Sequence, residues 1–194
     1  MENINFFLTG VGGQGTLLAS NVLAQVGVRA GFDVKKAEVH GMAQRGGSVS
    51  SQIRWGEKIH SPLISKGEVD YLVAFEKLEA LRYVGMLRPG GTALVGEMSI
   101  LPLSVSSGDD VYPGDEEVQR VIGAVAGDVR FVPSLRLAEE AGNVRAHNVV
   151  LLGALSSLIE QVPVETWLDV IAARVPERYV EVNKRAFQMG REAR

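Results

Sequence analysis

The stretch Ile4-Asn5-Phe6-Phe7-Leu8-Thr9-Gly10-Val11-Gly12-Gly13-Gln14-Gly15-Thr16-Leu17-Leu18 decides the fold. Ile4–Thr9 is apolar, too short for a helix and rich in residues that suit a sheet, so it predicts a strand. The glycines turn the chain, and Leu17, Leu18, Val22, Leu23 and Val26 then recur near helical spacing. Gly31 predicts the helix stop, and Asp33–Val39 a second strand. A parallel pair joined by a helix crosses over right-handed, which puts the glycine loop at the carboxyl edge of the sheet.

Outward from this βαβ unit the alternation continues. His40–Ser48 reads as a loop. Val49, Ser51, Ile53 and Trp55 alternate with Ser50, Gln52 and Arg54, the period of a strand with one wet face. Tyr71–Phe75 reads as a buried strand, Lys77–Leu87 as a helix, Pro89-Gly90-Gly91 as a turn and Thr92–Gly96 as a strand. Leu101–Gly114 is predicted to be a long polar loop. Glu116–Ala126 reads as a helix, Val129–Val132 as a strand and Leu135–Ala141 as a short helix. Asn143–Glu160 is predicted as the longest helix, with Val144, His147, Leu151, Leu155 and Leu158 inward. Pro163 and Pro176 set off the last two helices, Val164–Arg174 and Glu177–Arg194. The pattern predicts a single α/β domain over residues 1–194: three layers, α/β/α, around a mostly parallel sheet with a Rossmann-like first βαβ unit.

Composition excludes several function classes. With no cysteine, the chain has no thiolate nucleophile and no thiolate ligands for an iron–sulfur cluster. His40, His60 and His147 are too scattered to suggest a zinc site. A net charge of −3 argues against a nucleic-acid footprint, which needs a basic face. The longest apolar stretch, Val149–Leu155, falls far short of the roughly 20 residues of a membrane span, and no basic segment precedes Ile4. A soluble cytoplasmic protein without membrane or nucleic-acid partners is expected.

Gly10, Gly12 and Gly15 spell G-x-G-x-x-G between a strand and a helix, the context in which backbone N–H groups meet phosphate. Glu38 stands about where a dinucleotide site would put its ribose-binding acid. A tight turn packed against its neighbours explains the same glycines. At the end of the second strand, Gln44-Arg45-Gly46-Gly47 offers a forked cation for a phosphate or carboxylate; a surface arginine, or one paired with a partner's acid, is the alternative. Glu76 and Glu97 each follow a strand at the same edge. Neither a P-loop nor a nucleophile elbow occurs.

The glycine loop followed by Gln44-Arg45-Gly46-Gly47-Ser48-Val49 resembles the gamma domain of 2-oxoacid:ferredoxin oxidoreductases. The fuller string His40–Gly47 is most similar to the indolepyruvate type. Ser61-Pro62, Gly67 before Asp70, the Asn143–Gly153 helix and Asn183–Gly190 extend the likeness over nearly the whole chain. The resemblance implies oxidative decarboxylation of a 2-oxoacid, here an aryl pyruvate, to an acyl-CoA with reduction of ferredoxin. It implies CoA as co-substrate, and thiamine diphosphate, magnesium and iron–sulfur clusters on a catalytic partner subunit. Asp109, Asp115 and Asp128 each follow a glycine, yet none begins the Gly-Asp-Gly signature that holds magnesium and thiamine diphosphate in that family. The chain is thus expected to be a non-redox subunit, inactive alone and without catalytic residues. Gly10, Gly12, Gly13, Gln14, Gly15, Gln44, Arg45, Gly46 and Gly47 are its candidate contacts to CoA, thiamine diphosphate or the partner. A stand-alone NAD(P)- or FAD-binding oxidoreductase and a non-catalytic nucleotide-binding regulator are the competing readings of the same loops.

Overall fold

Side chains that alternate along a strand feed two different cores when both faces of the sheet are covered. In the computed structural model, which describes residues 3–40 and 46–193, six strands make one sheet. They are β1 (Ile4–Val11), β2 (Asp33–His40), β3 (Ser48–Gly56), β4 (Val69–Ala74), β5 (Leu87–Gly96) and β6 (Asp128–Val132). Their order is β2-β3-β1-β4-β5-β6. Parallel pairing joins β1 to β4, β4 to β5 and β5 to β6, while β3 runs antiparallel to both β1 and β2. The helices among the described residues are α1 (Thr16–Arg29), α2 (Lys77–Tyr83), α3 (Leu103–Ser106), α4 (Asp115–Gly123), α5 (Ser134–Ala141), α6 (His147–Ser156), α7 (Val164–Arg174) and α8 (Val180–Glu192).

Phe6 and Leu8 of β1, Val73 of β4 and Leu94 of β5 point into a core shared with α1, α5, α6, α7 and α8. Phe7, Leu72, Ala74, Ala93 and Val95 point the other way, against Ala80 of α2 and Val118 and Ile122 of α4. The three-layer architecture and the mostly parallel sheet are as expected.

Four local expectations are corrected. The strands β1 and β2 are parallel in direction but are not neighbours, because β3 returns antiparallel and pairs with both. The segment Asn143–Glu160 is not the longest helix. A 3-10 turn over Val144–Ala146 precedes α6, which has 10 residues against 14 in α1. Asn143 caps that turn by accepting the Arg145 N–H, and the hydroxyls of Ser156 and Ser157 donate back to the Gly153 and Ala154 carbonyls where α6 ends. All of α6 is buried, so it has no wet face, and Val144 turns outward at 51% exposure. The supposed loop Leu101–Gly114 contains α3, one turn started by Pro102. Pro89–Gly91 is no turn between elements: β5 already starts at Leu87, and these residues form an irregularity where Val69 pairs with Leu87 but Tyr71 with Thr92.

Candidate functional site

The glycine loop leaves β1 at the carboxyl edge and enters α1. Gly13 (φ +106°) and Gly15 (φ +78°) adopt left-handed conformations that side chains resist. Gly15 is also the N-cap of α1, so no capping side chain covers the amides of the first turn, and that turn holds no acid. A Cβ on Gly15 would collide with Asn148, whose Nδ2 donates to the Gly15 carbonyl at 3.2 Å. Val11, Gly12, Gly13, Gly15, Thr16 and Leu17 line a cleft of about 520 Å³ here. Thr16 Oγ1 is buried and has no hydrogen-bond partner among the described residues.

Two of the candidate residues have another job. Gly10 is tight because the Gln14 amide occupies its side of the loop: an added Cβ would sit 2.7 Å from Gln14 Oε1. Gln14 is buried, its Oε1 accepting the Val11 N–H at 2.7 Å and its Nε2 donating to the Phe75 carbonyl at 3.1 Å. It ties the loop to the end of β4. Of the candidate residues in this loop, Gly12, Gly13 and Gly15 border the cleft.

The second loop meets the first. The Gly12 N–H donates to the Gly47 carbonyl at 2.8 Å, and Gly46 is exposed with φ +78°. The meeting follows from register: Val11, the last residue of β1, lies opposite Ser48, the first residue of β3. Gln44 and Arg45 lie outside the described residues, as do Gly41, Met42 and Ala43.

The acids at this edge divide by burial. Glu97 is exposed and borders a small cleft with Lys77, Asp115 and Gln119. Glu76, 1% exposed, caps α2 by accepting the Glu79 N–H at 2.8 Å; it also accepts the Ile100 N–H and the Tyr112 hydroxyl. Burial, reinforced by the Glu76 carboxylate, pushes the Tyr112 phenol far above its usual range. Glu38 sits away from the glycine loop, because β3 separates β2 from β1; it pairs with Lys36 and accepts from Ser20. Glu79 escaped the sequence reading. It is 3% exposed and accepts from Thr9 Oγ1 at 3.2 Å, Ser48 Oγ at 2.5 Å and Arg82 Nη1 at 2.6 Å. Nothing in a Lys-Leu-Glu-Ala-Leu-Arg helix distinguishes such a glutamate from a solvated one.

The described residues do not supply the ligand set of a cluster or of a metal ion. The chain has no cysteine, and no group of three or more His, Asp or Glu among the described residues is placed to hold a metal. Nor is any helix among them long and apolar enough to cross a membrane. Among the described residues the edge offers positive-φ glycines, first-turn amides without a side-chain cap and an open cleft, the kind of surface at which helix N-termini meet anions.

Residues 5–193 match the family described as pyruvate ferredoxin/flavodoxin oxidoreductase. The indolepyruvate oxidoreductase subunit IorB of Thermococcus kodakarensis is 40% identical over 98% of this chain and 95% of its own. The subunit of the same name from Archaeoglobus fulgidus is 37% identical over 96% and 93%. Among solved structures, the gamma subunit of a keto/oxoacid ferredoxin oxidoreductase from Geobacter sulfurreducens superposes with a TM-score of 0.72 at 26% identity, covering 98% of this chain and 97% of that one. The pyruvate oxidoreductase subunit PORC of Thermotoga maritima shares the fold, with a TM-score of 0.74 at 23% identity over 100% and 97%.

Proposed function

The chain belongs to the pyruvate ferredoxin/flavodoxin oxidoreductase family, and from that premise we propose that it is the gamma-type subunit of an indolepyruvate oxidoreductase whose two glycine-rich loops complete a site built largely by a partner. The carrying observation is the Gly12–Gly47 hydrogen bond, which joins the two loops into one edge beside the cleft. The enzyme converts an aryl 2-oxoacid and CoA to an acyl-CoA and carbon dioxide, passing electrons to ferredoxin. Thiamine diphosphate, magnesium and iron–sulfur clusters reside on the catalytic partner. The present chain, acting as one domain over residues 1–194, supplies binding and enclosure. Its backbone N–H groups at Gly13 and Gly15, beside Gly12 with its N–H held by the Gly47 carbonyl, receive an anionic group of CoA, substrate or cofactor together with Gly46, Gly47, Gln44 and the Arg45 guanidinium. Gly10 and Gln14 shape the loop from within.

The test is reconstitution. The purified chain alone should reduce neither viologen nor ferredoxin with indolepyruvate and CoA, and addition of the cluster-bearing subunit should restore turnover. Turnover by the chain alone would overturn the reading.

A further inference from the structure

Glu79 lies on neither loop, yet it is bonded to the residue flanking each. Thr9 immediately precedes the glycine loop, and Ser48 immediately follows Gly47. Thr9 shares a strand face with Phe7, the face that packs toward α2, so Glu79 reaches the loops from the side of the sheet opposite α1. The Thr9 hydroxyl has one proton and two acceptors in reach, the carboxylate at 3.2 Å and the Val49 carbonyl at 3.4 Å; the nearer, charged one is preferred. Ser48 Oγ also lies 3.3 Å from the Tyr83 hydroxyl, and Arg82 balances the buried charge from a half-exposed position. A carboxylate this buried is costly unless its oxygens are occupied; here Oε2 accepts the hydroxyls of both loop ends, Thr9 and Ser48, and Oε1 accepts from Arg82 Nη1.

We propose that Glu79 is a positioning residue that couples the two glycine-rich loops, fixing Thr9 and Ser48 so that the Gly12 N–H and Gly47 carbonyl stay in register and the loops present one ligand-binding edge. This rests on the two-loop reading of the site. It adds that the edge is set from α2, through side chains that touch no ligand.

The experiment uses the assembled enzyme, with Ser48→Ala and Glu79→Gln in this chain. Hydrogen exchange at the Gly12 amide should rise about tenfold or more, as expected for loss of a hydrogen bond to a charged group, while the core amides of β4 and β5 stay as protected as in the wild type. KM for the 2-oxoacid or CoA should rise by about the same factor with kcat nearly unchanged, and Ser48→Thr, which keeps a hydroxyl, should restore both readouts. Should Glu79→Gln fail to fold, Ser48→Ala carries the test. Unchanged Gly12 exchange, or exchange raised uniformly through the core at constant KM, overturns the proposal. Arg45→Ala separates this failure from that of the site: a KM increase with Arg45→Ala but not with Ser48→Ala defeats the coupling alone. If Arg45→Ala leaves KM unmoved, the two-loop site fails, and Gly12 exchange still decides whether Glu79 couples the loops.

Discussion

Single groups at the carboxyl edge carry most of the testable chemistry. Arg45→Ala in the assembled enzyme should remove a charge-assisted contact worth about 1.5–3 kcal/mol, raising KM for CoA or 2-oxoacid at unchanged assembly. Arg45→Lys should recover part of this, since an ammonium lacks the planar fork. Weakened subunit association at constant KM would instead assign Arg45 to the interface. His147 gives a pH dependence. Its ring is 6% exposed, edge-on to Phe75, with Nδ1 unpartnered among the described residues, and burial holds its pKa below the ordinary 6.5. Below that value the unfolded chain takes up a proton that the folded chain refuses, so this contribution is intact above pH 6.5 and lost as pH falls toward the lowered value. Urea midpoints followed from about pH 7.5 to 5 should fall less for His147→Asn than for the wild type. Equal slopes would count against the assignment.

At the level of elements, α6 and α8 pack closely because each places a glycine against the other's backbone. A Cβ on Gly153 would strike the Phe187 carbonyl, and one on Gly190 the Val150 carbonyl. Backbone cannot step aside as a flexible side chain can, so Gly153→Ala should cost at least ~1–3 kcal/mol in urea denaturation. Gly123, in α4, faces open space; Gly123→Ala should gain roughly 0.5–1 kcal/mol by the same measurement. A second element-scale expectation concerns the segment between β5 and α4. It is held near both ends by Glu76, through the Ile100 N–H and the Tyr112 hydroxyl, yet Leu103 and Val111 are each 85% exposed and Leu101 56%. Apolar side chains held out on an anchored segment suit a covered surface. Hydrogen exchange across Leu101–Tyr112 should slow when the catalytic partner binds; equal rates in both states would remove this segment from the interface.

For the molecule as a whole, the amino-acid sequence by itself determined the α/β class, the strand–glycine loop–helix opening and the placing of both loops at one sheet edge. These follow from local causes: periodicity of two or 3.6 residues, glycine's freedom at positive φ, and the direction in which a crossover runs. Absence of cysteine likewise means that residues 1–194 supply no thiolate to a cluster. Only the tertiary structure decided that β3 enters between β1 and β2, because a strand able to pair on both sides is chosen by its neighbours and not by its own pattern. That insertion carries Glu38 away from the glycine loop and brings Ser48 opposite Val11. It also took the fold to turn Gln14 inward and to bury Glu76 and Glu79, whose local sequence reads like that of any solvated helix start. A carboxylate's burial depends on hydroxyl and amide donors far away in the chain, Thr9, Ser48, Ile100 and Tyr112, and no spacing along the sequence records that those donors will arrive.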